Sequence, residues 1–365
     1  MSVQPLPISP WDALIKLRQT AAEYPGGLID LSIGAPIDPV PDAVTAALAA
    51  AADSPGYPAA VGSGRLRRAI MAWLDRQVGA GCHTEAVLPT LGSKEFIGWL
   101  PTLLGLGPTH VVAIPELAYP TYEVGARTAG ASVLRYTPED LLNGAADGRP
   151  PSLIWINSPS NPSGEVLPVA TLVELIRWAR TKGCLMASDE CYFGLGWEQS
   201  PVSVLDPSVT GGDHTGVLAV HTLSKRSNMA GYRVGFVAGD PAVMSRLRGS
   251  RRQLGMIVPA PIQAAAAVAL DDDTHAVLQR ERYGRRRQLL RPALESAGFR
   301  IDHSQAGMYL WATRDEDGWD SVAWLAGRGI LAAPGEFYGA RGARHIRVGL
   351  TVSDDRVGEV ARRLA

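Results

Sequence analysis

Residues 221–236 read HTLSKRSNMAGYRVGF. Lys225 directly follows Ser224 and stands close behind Thr222, and Arg233 comes after the glycine at Gly231, at the start of the apolar run RVGFVAG. A lysine amine attacks an aldehyde only when unprotonated, so it needs surroundings that favour the neutral form or hold the aldehyde close. Two short hydroxyls and a forked guanidinium match the acceptor oxygens of a phosphate. Gly231 would let the chain turn tightly between the lysine and the arginine. The stretch therefore reads as a seat for a phosphorylated aldehyde. Alone, a Ser-Lys pair at a strand end is more often plain surface, so the reading depends on residues elsewhere.

Outward from this stretch the pattern alternates. HVVAIP, SVLRYT, SLIWIN, LMASDE, VLAVHTL and RVGFVAG are short β-rich runs, and helical segments such as VATLVELIRWARTKG lie between several of them. Continuous apolar strands alternating with helices predict an α/β fold, a mostly parallel sheet covered on both faces. Upstream, PDAVTAALAAAAD after Pro41, RLRRAIMAWLDRQV and KEFIGWLPTLLGLG repeat apolar residues at helical spacing, the last with a proline that predicts a kink. Past Gly255 the character changes to a long helical region, RYGRRRQLLRPALESAG included. GMYLWAT and HIRVGLTV then read as antiparallel strands, before a closing helix DDRVGEVARRLA. The expected division is a large unit over 42–255 and a smaller α+β unit made from both chain ends, 1–41 and 256–365.

Composition narrows the function classes. At 365 residues the chain is long for a single core, which predicts two domains. Its net charge of −1 gives no electrostatic footprint for nucleic acid or an anionic membrane. The opening MSVQPLPISPW lacks the basic and apolar regions of an export signal, and no apolar run spans a bilayer. Three cysteines, Cys82, Cys184 and Cys191, are odd in number and lack metal-ligand spacing, so no metal is expected and a cytoplasmic setting fits. The basic run Arg285, Arg286 and Arg287 reads as the solvated face of a helix. The triplet DDD at 271–273 reads as a solvated turn, and GSGRLR at 62–67 follows no strand, which argues against a dinucleotide fingerprint.

Two more strand ends carry polar residues. SDECY at 188–192 offers Asp189, a carboxylate suited to keeping a pyridine nitrogen protonated, and Tyr192, whose hydroxyl could reach a ring oxygen. NSPSNPSG at 157–164 offers the amide of Asn161 for the same oxygen. Each alone has a plain alternative, a capping aspartate or a proline turn.

Together these motifs resemble the fold-type I, pyridoxal-phosphate-dependent class I/II aminotransferases over nearly the whole chain. The markers come in family order: IGAP at 33–36, Tyr57 in its loop, LGSKE at 91–95, PELAYPTY at 115–122, NPSG, DECY, the SK…R block, and IRVGL at 346–350. The resemblance implies a seven-stranded type of large-domain sheet and pyridoxal 5′-phosphate as cofactor. It makes Lys225 the lysine that holds the cofactor and moves the proton, and Tyr119 the aromatic on the pyridine ring. Gly92, Ser93 and Lys94 become the turn that binds the phosphate, with Thr222, Ser224 and Arg233. Arg347 becomes the clamp on the substrate α-carboxylate, beside Gly34 and Asn161. Tyr57 would reach the phosphate of a neighbouring subunit, which implies a homodimer with shared sites. The substrates implied are small amino acids and 2-oxo acids.

Softer texture, PISPWDAL and LIDLSIGAPIDPVP together with GSKE, resembles the N-succinyl-diaminopimelate aminotransferases of actinobacteria. That implies a substrate with a distal anionic arm, for which Arg65, Lys94 and Arg251 are the candidate partners. Aspartate or aromatic aminotransferase activity and a cystathionine β-lyase-like reaction stay open. A cofactor-binding regulator is disfavoured, because IDLSIGAP comes too early to leave room for a DNA-binding segment.

Overall fold

The computed structural model describes residues 10–144 and 148–365. The opening MSVQPLPIS, most of the segment taken above to lack an export signal, lies outside the described residues.

Strand β1 (Ile29–Asp30) is short and meets its partner only near the end of the chain. Between them come β2 (Val87–Thr90), β3 (Val111–Pro115), β4 (Ser132–Tyr136), β5 (Leu153–Asn157), β6 (Leu185–Asp189), β7 (Val217–Thr222) and β8 (Gly235–Gly239). These seven form one sheet in the order β2-β8-β7-β6-β5-β3-β4. All run the same way except β8, which is antiparallel to both neighbours. The Lys225 turn joins β7 to β8 without a full crossover helix, so the chain returns antiparallel. Sequence reading gave no strand at β2, whose VLPT is short and holds a proline.

Successive residues of β5 feed opposite cores, as the period of a strand requires. Ile154 and Ile156 join Trp73 and Leu175 on one face, while Leu153 and Trp155 join Phe96 and Tyr122 on the other. A third core unites the chain ends: Leu14, Ile29 and Leu31 pack with Leu290, Leu310, Ile346 and Val360. It covers β9 (Arg300–Asp302), β10 (Tyr309–Thr313), β11 (Ile330–Leu331), which pairs with β1, β12 (Ala333–Pro334) and β13 (Ile346–Gly349). β12, β13, β10 and β9 form an antiparallel sheet in that order.

Four expectations are corrected. The helix Ala260–Asp271 packs Ala265, Ala269 and Leu270 into the large sheet's core, so the packing divides after Asp271 rather than at Gly255. An alanine-rich helix has too little contrast between its faces to announce its partner. Arg286 is not solvated: it is 2% exposed and bound to Asp38 and Asp354. The DDD triplet is not a bare turn, since Asp271 holds Arg65 and Asp273 holds Arg76 and Arg226. The left-handed residues of the Lys225 loop are Asn228 and Arg233, not Gly231.

Candidate active site

Strands β5, β6 and β7 end side by side in Asn157, Asp189 and Thr222, where parallel sheets place their ligand crevices. A cleft of about 800 Å³ opens there. The strand ends supply its floor, and the loop carrying Ile33 and Gly34, with Tyr309 and Arg347 from the small sheet, closes one wall.

Asp189 lies at the centre, 4% exposed. Its Oδ2 accepts a 2.7 Å hydrogen bond from the Tyr122 hydroxyl and its Oδ1 one of 3.2 Å from the Cys191 amide. Burial pushes its proton affinity up, while those bonds and the charge of Lys225 pull part of it back. A cation facing it would favour its charged form. Asn157 braces the same loop, donating to the Asp189 carbonyl at 2.8 Å and accepting from the Asn161 amide at 2.7 Å.

Lys225 projects from a single helical turn, Leu223–Arg226, capped by Thr222, whose Oγ1 accepts from the Ser224 amide. Its Nζ donates to the Gly34 carbonyl at 2.5 Å. A Cβ on Gly34 would sit 1.8 Å from the Tyr309 hydroxyl, so only glycine fits. That hydroxyl lies 3.2 Å from the Tyr192 hydroxyl.

Gly92 turns with φ of +77° into the helix Ser93–Leu103, whose first residues, Ser93 and Lys94, line the cleft. A Cβ on Gly92 would meet Arg233 Nη2 at 2.6 Å. Arg233 spends its donors on the carbonyls of Ala230 and Leu91 and has no carboxylate partner among the described residues. A helix N-terminus, a side-chain hydroxyl and an unpaired guanidinium around a glycine turn form a cradle for a phosphate.

Arg347 is the second unpaired cation. It is 3% exposed, donates to Asn161 Oδ1 at 2.8 Å and to the Ser32 carbonyl at 2.6 Å, and lies 3.9 Å from the Tyr309 ring centre. Its Nε has no partner, and no carboxylate reaches it among the described residues.

The cleft thus gathers Ser93, Lys94, Tyr119, Asn161, Asp189, Tyr192, Thr222, Ser224, Lys225, Arg233, Gly34 and Arg347. Tyr57 is not among them; it is fully exposed. Arg65 pairs with Asp271 away from the cleft. Arg251, a candidate for the distal anion, is 0% exposed and bound to both oxygens of Glu95, so it cannot serve. Tyr122 and Tyr309 carry no role in the sequence reading, because a tyrosine at the start of a helix or of an apolar strand reads as core.

A buried acid, an amine, two unpaired arginines and a phosphate cradle fit pyridoxal phosphate: phosphate at Gly92 and Arg233, ring nitrogen at Asp189, aldehyde at Lys225. Among the described residues no cluster suited to a metal ion occurs, and no helix is long and apolar enough to cross a membrane. The family model of aminotransferase class I and II matches residues 27–364. A probable aminotransferase of Mycobacterium tuberculosis is 56% identical, covering 98% of this chain and 85% of its own. The 4-dedimethylamino-4-oxo-anhydrotetracycline transaminase of Streptomyces rimosus is 51% identical over 98% of this chain and 99% of its own. The solved structure of a probable N-succinyldiaminopimelate aminotransferase of Thermus thermophilus superposes with a TM-score of 0.86 at 26% identity, covering 98% and 99%. With its cleft and its relatives in agreement, the chain belongs to the class I and II aminotransferases, and its cofactor is pyridoxal phosphate.

Proposed function

We propose that this aminotransferase moves the amino group of N-succinyl-LL-2,6-diaminopimelate to and from the 2-oxoglutarate/glutamate pair. The observation that carries the reading is Arg347: a buried cation without an acid, in one cleft with Lys225 and Asp189. It binds the substrate α-carboxylate, which every amino acid and 2-oxo acid offers, and a planar fork fixes that group better than a point charge.

Bound pyridoxal phosphate supplies the electron sink that makes the substrate α-hydrogen acidic. The protein does the rest. Lys225 Nζ would hold the aldehyde and would serve as the base at the substrate α-carbon. Asp189, oriented by Tyr122, would keep the ring nitrogen protonated. Tyr192 and Asn161 would serve the ring oxygen, and Tyr119 would cover the ring face. A clamped carboxylate leaves Cα–H as the bond aligned for cleavage, which favours amino transfer over decarboxylation.

The mouth suits a long substrate. Trp11 and Phe337 pair there at 5.4 Å, and Ile33 is 46% exposed. The exposed Lys94 at the rim is the cation for a distal carboxylate. Tyr57, outside its own cleft and fully exposed, is free to complete the phosphate site of a second copy, which makes the functional unit a homodimer. A second reading, a bulky polycyclic substrate, draws on the same apolar mouth and on the Streptomyces relative.

The test is kcat/KM for succinylated diaminopimelate against aspartate, phenylalanine and a polycyclic amine, each with 2-oxoglutarate. The succinylated donor should lead by about a hundredfold or more, in line with a recognised distal charge. A lead for any other donor would overturn the assignment.

A further inference from the structure

On the side of the strand ends away from Tyr122 lies a second pair of titratable groups that the mechanism does not use. Glu190 follows Asp189, and His221 precedes Thr222. They are 2% and 3% exposed. Glu190 Oε2 and His221 Nε2 approach to 3.3 Å, and neither atom makes a hydrogen bond among the described residues. The Glu190 amide donates to the Val220 carbonyl and its Oε1 accepts from the Val204 amide, so the carboxyl is held in place. Around His221 the rings of Trp73, Phe236 and Phe193 stand 5.0, 5.1 and 5.9 Å away. A cavity of about 130 Å³ borders both groups and also touches Cys191 and Thr222.

Burial of this kind disfavours a net charge. Either arrangement of one proton, carboxylic acid with imidazole or carboxylate with imidazolium, leaves the pair neutral overall. Position makes neutrality matter. An uncompensated negative charge at Glu190, the next residue in the chain, would raise the proton affinity of Asp189. A more basic Asp189 would compete with the ring nitrogen for its proton.

We propose that Glu190 and His221 are a positioning pair that holds one shared proton and so keeps the field behind Asp189 neutral. The inference rests on the reading of Asp189 as the acid at the ring nitrogen. Other charged groups facing the pair are few. Arg226 and Asp273 pair with each other at 2.5 Å, and Arg280, from the helix that follows, bonds to the Gly196 carbonyl. The helix Gly64–Gln77 contributes the uncharged Trp73 and Gln77, and β8 contributes Phe236. Burial pushes the Glu190 carboxyl up and the imidazole well down, so the shared proton rests on the carboxyl and the imidazole accepts from it; removing that acceptor would make the proton easier to lose.

The experiment compares wild type, Glu190→Gln, His221→Phe and the double variant from about pH 6 to 8.5. Two quantities are read: kcat/KM, and the dissociation constant of pyridoxal phosphate for the apoprotein. Wild type and Glu190→Gln should share one pH profile. In His221→Phe, kcat/KM should fall about tenfold more across that range than in wild type, the equivalent of one pKa unit at the ring nitrogen. Its cofactor affinity should weaken alongside, and Glu190→Gln in the same chain should remove the fall. His221→Gln, which can donate to a carboxylate but cannot take its proton, should show the same fall if the phenylalanine variant does not fold. Parallel profiles in all variants, or a fall that survives in the double variant, would overturn the inference. Asp189→Asn separates the two readings. Full turnover there overturns the assignment of Asp189 and this inference with it; loss of turnover with parallel His221 profiles overturns the inference alone.

Discussion

Among the described residues three arginines are almost wholly buried, and they divide into two kinds. Arg251 grips both oxygens of Glu95, and Arg286 both oxygens of Asp38 with Asp354 besides. Arg347, no less buried, meets only an amide oxygen, a carbonyl and two tyrosine rings. The first kind ties segments together: Asp38 sits in the loop after Gly34, and Gln279 links it to Asn228 beside the Lys225 turn. The second kind waits for an anion from outside. A buried guanidinium is costly without an acid, so its lack of one marks a binding site, whereas a satisfied pair marks structure.

Replacing these arginines should break the two regions in different ways. Lys225→Ala sets the upper limit, with turnover reduced by at least about ten-thousandfold through loss of the proton-transfer group; near-normal rates would remove the central assignment. Arg286→Met should lower unfolding free energy by about 1.5–3 kcal/mol, because Asp38 loses its two charged hydrogen bonds and keeps only Gln279 and the longer contact with Arg282; urea unfolding measures it. Arg347→Met should leave stability unchanged or raised and weaken amino-acid binding by about 2–5 kcal/mol. If Arg347→Met unfolds the protein while Arg286→Met spares it, the division between the two kinds is wrong.

Acid sharpens the contrast further. Burial raises the Asp38 carboxyl, but bonds from Arg286 and Gln279 outweigh it and hold the group below the usual carboxylate range. A depressed pKa stabilises the fold above the unfolded value, roughly pH 4, and that contribution is lost as pH falls through the folded value. Asp38→Asn should therefore flatten part of the fall in urea midpoint between about pH 4 and pH 2.5. Arg347 has no acid partner and should contribute nothing to that slope. The smallest effect belongs to Tyr122→Phe. Losing the 2.7 Å bond to Asp189 should lower kcat by roughly five- to tenfold, about 1–1.5 kcal/mol, with little change in KM.

The same division explains what could be read before the structure. Lys225, Asp189, Asn161 and Arg233 share the cleft the motifs pointed to, and each stands at or within a few residues of an apolar run, a local contrast. The alternation of runs gave the sheet, but not the reversed direction of β8, which depends on how short the Lys225 connection is. By residue type alone Arg251, Arg286 and Arg347 look alike, and only the resemblance around IRVGL singled out Arg347. What separates them is a partner more than a hundred residues away for Arg251 and Arg286, and the absence of one for Arg347. The helix Ala260–Asp271 was assigned to the wrong core for a similar reason, since alanines fit either.

The most direct measurement is a single turnover of the holoenzyme with glutamate and no acceptor, counting 2-oxoglutarate and free ammonia per subunit. Amino transfer centred on Lys225 and Arg347 predicts one equivalent of 2-oxoglutarate, no ammonia, and neither product from Lys225→Ala. Ammonia released in step with the keto acid, or pyruvate and ammonia from a cysteine thioether in place of any exchange with glutamate, would contradict it.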